Sequence, residues 1–217
     1  MHLRTTARRA VFGVLGAMVA NGWGAPAVAA EAVVLGDSIG QGIANTIGLK
    51  SVAKRSFSLR RGNIGEQLQH VPAQAVGLMS LGLNDAADPV DHLSKSIERI
   101  VETAVGSERR LVWIGPPCVV GKSWDKRAEA LDAYLKERLS QTVIQYVSLR
   151  DPNICASKLR TRDGEHFTVE GYKYLWDKIR RDAPLAAALE PDPCERQKAE
   201  AAYRGRKLAL DCSKPTN

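Results

Sequence analysis

The sequence has no Cys-x-x-Cys and no His-x-x-x-His, so the ligand spacing that holds a structural or catalytic zinc is missing. No metal and no cofactor are expected. Long apolar runs are also scarce. The best of them, Ala10 to Ala20, stops at Asn21 and falls short of the roughly 20 residues that cross a bilayer. Dense cationic tracts are lacking too: Arg60-Arg61, Arg109-Arg110 and Arg180-Arg181 are doublets without interleaved aromatics, which argues against nucleic-acid binding. There is no internal repeat and no low-complexity segment. What remains is 217 residues, 44% hydrophobic and 25% charged, enough for one globular domain with a full core.

The first thirty residues stand apart from that domain. Arg4, Arg8 and Arg9 make a basic start, Ala10–Ala20 an apolar middle, and Ala25-Pro-Ala-Val-Ala-Ala30 a small-residue cleavage region. This predicts a signal peptide over residues 1–30 and a periplasmic or secreted product with no stable membrane insertion. Arg8-Arg9 is compatible with either the general or the twin-arginine route. Cleavage removes three arginines and no acids, lowering the net charge from +7 to +4. Such a field is mild, but it attracts anionic envelope polymers. An exported chain with four cysteines, Cys118, Cys155, Cys194 and Cys212, predicts two disulfides, for which three pairings exist.

Along the mature chain, short apolar runs alternate with helical patterns. Ala32–Leu35, Ser51–Leu59, Ala75–Leu83, Leu111–Ile114 and Val143–Leu149 read as strands, the second as a weaker edge. Helical periodicity covers Ile39–Ile47, a short piece from Glu66, Asp91–Val105, Trp124–Leu139 and the stretch from Val169 to before Pro184. Regular alternation with long crossovers predicts a doubly wound α/β fold: a five-stranded parallel sheet between two helical layers. Residues 31–190 make this domain, and 191–217 form a cysteine-containing extension with a helix over Glu195–Tyr203. On one continuous helix Cys194 and Cys212 would lie roughly 27 Å apart, beyond disulfide reach, so their pairing needs a reversal near Arg204-Gly205. Cys118 and Cys155 both follow strand ends. The favoured pairing is therefore Cys118–Cys155 with Cys194–Cys212; a cross-pairing that pins the tail to the domain is the alternative.

Chemistry concentrates after the strands. Gly36-Asp37-Ser38 closes the first strand and opens a helix, where backbone N–H groups face a ligand. Gly62-Asn63 follows the second strand, Gly82-Leu83-Asn84-Asp85 the third, and Asp163-Gly-Glu-His166 precedes the last strong helix. Together they supply a nucleophile in Ser38, a base in His166, and in Asp163 a group that fixes the imidazole tautomer. The backbone of Ser38 and Gly62 and the amide of Asn84 supply an oxyanion hole, with Gly65 competing for the place of Gly62. These blocks, in this order, resemble the SGNH, or GDSL-like, hydrolase superfamily over residues 32–182. Phe167-Thr168-Val169-Glu170-Gly171-Tyr172 also resembles that family's continuation, while Ile39 replaces a common leucine.

The resemblance implies a flavodoxin-like fold and an exported serine esterase acting through an acyl-serine intermediate. It implies an acylated small molecule or glycan as substrate, most naturally O-acetylated envelope or extracellular carbohydrate. An acyltransferase on the same fold and a non-catalytic polysaccharide-binding module are the alternatives. Asp37 is expected to brace the nucleophile turn and, with Arg61, Trp124 and Glu165, to border the substrate, although Glu165 also fits a solvent-facing position and Trp124 a packing one.

Overall fold

A computed structural model describes residues 31–119, 121–155, 157–206 and 210–212 of the chain. The expected signal peptide lies outside the described residues. The elements in order are β1 (Ala32–Gly36), α1 (Ser38–Ile47), β2 (Lys50–Ser51), α2 (Ile64–Leu68), β3 (Val76–Ser80), α3 (Val90–Gly106), β4 (Arg110–Ile114), α4 (Lys122–Leu139), β5 (Gln145–Val147), α5 (Val169–Asp182) and α6 (Pro193–Tyr203). All five strands are parallel, in the order β2-β1-β3-β4-β5. The doubly wound fold expected from the alternation is the one observed.

Alternate residues of each strand serve opposite layers, as the pleat requires. Val34, Leu78, Val112 and Ile114 join a core with Ile39 and Ile43 of α1 and Leu175 and Ile179 of α5. Val33, Leu35, Met79 and Trp113 join another with Leu68 of α2, Leu93 and Ile97 of α3, and Leu131 and Leu135 of α4. Sheet order reverses between β1 and β3, and in such sheets the crevice at the carboxyl ends of those two strands is where ligands bind. Ser38 opens the helix after β1, and Asn84 lies in a 3-10 turn (Leu83–Asp85) after β3, both at that point.

The second strand departs from expectation: it spans two residues, not Ser51–Leu59. Beyond it, Val52 and Lys54 still donate N–H bonds to the carbonyls of Val34 and Gly36 at 2.9 Å. Ser56 then turns the chain with φ 59°, ending any ladder. β3 is shorter than Ala75–Leu83 because Gly82, at φ 119°, bends the chain out of the sheet. β5 is likewise only the middle of Val143–Leu149.

Both favoured disulfides are present, with Cα separations of 5.4 Å for Cys118–Cys155 and 5.6 Å for Cys194–Cys212. The reversal expected after α6 occurs at Gly205, φ 69°. The extension packs on the domain without a cross-pairing disulfide. Asp192 donates its N–H to the Gly48 carbonyl at 3.0 Å, and a Cβ on Gly48 would strike the backbone of Arg196.

Candidate active site

The turn that carries Ser38 is fixed from several sides. Gly36 has φ 97°, and a Cβ there would collide with the Ser80 carbonyl on the next strand. Asp37 caps α1: its Oδ1 accepts from the N–H groups of Ile39 and Gly40 at 3.0 and 3.4 Å and from the Ser80 hydroxyl at 2.9 Å. Gln67 of α2 accepts from the Gly36 N–H at 2.5 Å, tying the turn from the other side. Ser38 is thereby fixed at the first residue of a helix, half-buried, with no acceptor for its backbone N–H among the described residues.

A tight hairpin carries the other two groups. Arg160 and Phe167 form an antiparallel bridge, Thr161 donates its N–H to the His166 carbonyl at 3.0 Å, and Gly164 takes φ 73° at the tip. Arg160 ties this hairpin from within: its guanidinium lies 4.2 Å from the Phe167 ring centroid and donates to the Glu165 carbonyl at 3.1 Å. The hairpin presents His166 so that Nε2 lies 2.9 Å from Ser38 Oγ and Nδ1 lies 2.9 Å from Asp163 Oδ2. Burial pushes the Asp163 carboxyl up. Donors from the His166 N–H, Thr161 hydroxyl, Glu165 N–H and His166 ring outweigh that and hold it well below the usual carboxylate range.

A cavity of about 600 Å³ opens over Ser38 and His166. One wall is the α1 face that repeats from Ser38 through Gln41, Gly42 and Asn45. Gly42 is needed there because a Cβ would enter the ring of Tyr172, which forms the opposite wall. Asn84, Arg55, Ser56 and Glu165 complete the rim.

No family model matches the sequence, and no curated relative matches it. Solved structures do match. A member of the lipolytic G-D-S-L family from Veillonella parvula superposes with TM-score 0.59 at 13% identity, over 72% of this chain and 99% of that one. A GDSL-like lipase from Bacteroides thetaiotaomicron gives 0.57 at 18% identity, over 73% and 89%. A carbohydrate esterase family 3 protein from Talaromyces cellulolyticus gives 0.57 at 14% identity, over 74% and 100%. The chain has the SGNH-hydrolase fold.

Within that fold the expected site residues separate. Ser38, His166, Asp163, Asn84 and Glu165 converge on the cavity or its rim, and Asp37 lies buried beneath it. Gly62 does not reach the site: its N–H is bonded to the Ser58 carbonyl at 2.9 Å, and a Cβ there would meet the Phe57 ring. Gly65 sits inside α2 beside Thr103 of α3, so it is no substitute. Arg61 lines an adjoining cavity instead, with Ser56 and Asn84 shared between the two. Trp124 is packed against the core cluster that includes Ile154 and Phe167, not against the cavity.

Gln41, Gly42, Asn45, Arg55 and Ser56 line the cavity without having been expected there, and Phe167 and Tyr172 were expected only as the family's continuation. Gln41 and Asn45 were readable, since they follow Ser38 at helical spacing on a helix whose start was recognised. Arg55 and Ser56 were not, because a turn was hidden inside an apparent strand. For metal, the one grouping with ligand-like separations among the described residues is Asp192 with Cys194 and Cys212, and both sulfurs are in a disulfide. It therefore offers a single carboxylate and no thiolate.

Burial raises the Asp37 carboxyl to about 6, against opposing hydrogen bonds from Ser80, Ile39 and Gly40. The folded protein thus holds this proton more tightly than the unfolded chain, so the contribution of Asp37 to stability falls as pH rises through about 4 to 6 and stays low above. Asp37→Asn keeps the Oδ1 acceptor and removes the buried charge. Its stability gain is expected to be on the order of 2–3 kcal/mol at pH 8 and to vanish below about pH 4. Thermal melts across that range check it; a difference independent of pH refutes it.

Proposed function

We propose that this protein is an exported serine esterase that removes short acyl groups from carbohydrate through an acyl-serine intermediate. The observation that carries the reading is the continuous hydrogen-bonded chain from Asp163 through His166 to Ser38 at the amino end of α1. In the forward step Ser38 Oγ attacks the ester carbonyl and its proton passes to His166 Nε2. Asp163 holds the Nδ1 proton, so Nε2 is the free base, and stabilises the imidazolium once it forms. His166 then returns the proton to the departing alcohol oxygen as the C–O bond breaks. Water, deprotonated by the same Nε2, attacks the acyl-serine and releases the carboxylic acid.

The oxyanion needs donors already in place. In this reading the Ser38 N–H and the Asn84 amide supply two. In place of Gly62 we assign the third to Ser56. It lines the cavity, its backbone N–H has no acceptor among the described residues, and its neighbour Phe57 accepts from Asn84 Nδ2 at 2.8 Å. Ser56 is also one of two non-glycine residues with positive φ among those described. That conformation costs a non-glycine residue about 1–2 kcal/mol and tends to persist where function holds it.

The polar lining supports a hydroxyl-rich substrate with a short acyl group, since only Phe167 and Tyr172 give the cavity an aromatic surface. The fold shared with a carbohydrate esterase family 3 protein points the same way. Two disulfides favour an oxidising compartment, and no helix among the described residues is long and apolar enough to cross a membrane. Water as the acyl acceptor is favoured by the partial exposure of Ser38. A fluorophosphonate probe is expected to label wild-type protein on Ser38 and to leave Ser38→Ala unlabelled. Absence of labelling in folded wild type would sink the serine mechanism.

A further inference from the structure

Beyond Ser56 and Asn84 the cleft continues into a second cavity of about 430 Å³. Ser58, Arg60, Arg61, Asp85 and Asp88 line the rest of it, and no apolar or aromatic side chain does. A neutral sugar is commonly held by stacking on an aromatic face, which this cavity does not offer. Its acidic groups are already engaged. The buried Asp85 accepts the Leu59 N–H at 2.8 Å and so anchors the loop beneath the cavity. Asp88 pairs with Arg60 at 3.1 Å through one guanidinium nitrogen, leaving the other donors of that fork free.

Arg61 is exposed and has neither ion pair nor side-chain hydrogen bond among the described residues. Arg55, at the rim of the first cavity, is likewise exposed and unpaired. Donors therefore outnumber available acceptors on both sides of the Ser56–Asn84 divide. A donor-rich, arginine-lined cavity suits a group that only accepts, and planar guanidinium forks match carboxylate, phosphate and sulfate oxygens best.

We propose that the second cavity is an anion-binding subsite, so that the esterase acts on an acylated glycan bearing a carboxylate, phosphate or sulfate. This deepens the esterase reading and rests on it. Arg61 and the free donors of Arg60 hold the anion, and Arg55 draws it toward the cleft.

The test compares kcat/KM for an O-acetylated oligogalacturonide, an O-acetylated sugar phosphate and a neutral O-acetylated xylo-oligosaccharide. At low salt at least one anionic ester is expected to exceed the neutral one by about tenfold, the scale of one partly screened charge-assisted hydrogen bond. The preferred anionic arm tells carboxylate from phosphate. The preference is expected to shrink toward unity at about 0.5 M NaCl and in Arg60→Gln/Arg61→Gln. Equal or better turnover of the neutral ester overturns the subsite, as does a preference that survives the double substitution. Binding of de-acetylated oligogalacturonide and xylo-oligosaccharide to Ser38→Ala, by calorimetry, asks the same question without turnover. Loss of all ester cleavage with selective anion binding intact would instead count against the esterase reading alone.

Discussion

Asp163→Asn is expected to lower kcat by about four orders of magnitude with the fold retained, the scale known for the equivalent change in a Ser-His-Asp protease. The geometry explains why so small a change acts so strongly. Asp163 Oδ1 already accepts from three donors: the Thr161 hydroxyl at 2.7 Å, the Glu165 N–H at 2.9 Å and the His166 N–H at 3.0 Å. An asparagine must place its oxygen there, because its NH2 would face three hydrogens. The NH2 then points at His166 Nδ1 and demands an acceptor. Nδ1 loses its proton to the other ring nitrogen, and Nε2 becomes a donor toward Ser38 Oγ, unable to take the serine's proton.

Asp163→Ala separates orientation from occupancy. The Asp163 side chain is 51% exposed, so formate in solution can enter the vacated place and restore part of the rate. The same formate is expected to do nothing for Asp163→Asn, where the amide occupies the space. A kcat within tenfold of wild type for Asp163→Asn, or equal rescue of both variants, would remove Asp163 from its assigned role. Circular dichroism and melting curves establish that each variant is folded.

The sheet was legible because strands buried on both faces are written as continuous apolar runs. Val33 and Val34 serve opposite cores one residue apart, which only a fully covered parallel sheet asks of a sequence. Ser38, Asn84 and His166 were legible for a related reason: each lies where such a run, or the approach to a strong helix, stops. The turn around Ser56 was not. Residues 52–59 carry Val52, Phe57 and Leu59 in a strand-like pattern, but beyond Lys54 the segment is held by tertiary ties and not by a ladder. Asn84 reaches the Phe57 carbonyl, Asp85 the Leu59 N–H, and Gly62 closes back on Ser58. No local signal announces a serine with φ 59°, since glycine or asparagine is the residue that usually advertises that conformation. Under the proposed assignment the third donor lies at Ser56, upstream of the glycine that the sequence displays at Gly62.

Asn84→Ala is expected to cost at least 10²–10³ in kcat, the loss of about 2.7–4 kcal/mol of transition-state stabilisation from its own donor, with a much smaller change in KM. One Asn84 Nδ2 hydrogen is committed to the Phe57 carbonyl, which leaves the other for the oxyanion. Alanine removes that donor and also releases the loop that carries Ser56, so two donors suffer from one substitution. The contributions separate through the backbone. Replacing the amide N–H of residue 56 by an ester oxygen, with the serine side chain retained, is expected to lower kcat by about 10²-fold on its own. The same replacement at Gly62 removes only the bond to the Ser58 carbonyl, so activity per folded molecule is expected to stay at the wild-type level. Combining the residue-56 ester with Asn84→Ala is expected to fall short of the product of the single effects, because the alanine already displaces the Ser56 N–H. A full loss at position 62 with none at 56 would return the third donor to Gly62. It would also leave the strained serine as a feature of the turn and not of the chemistry.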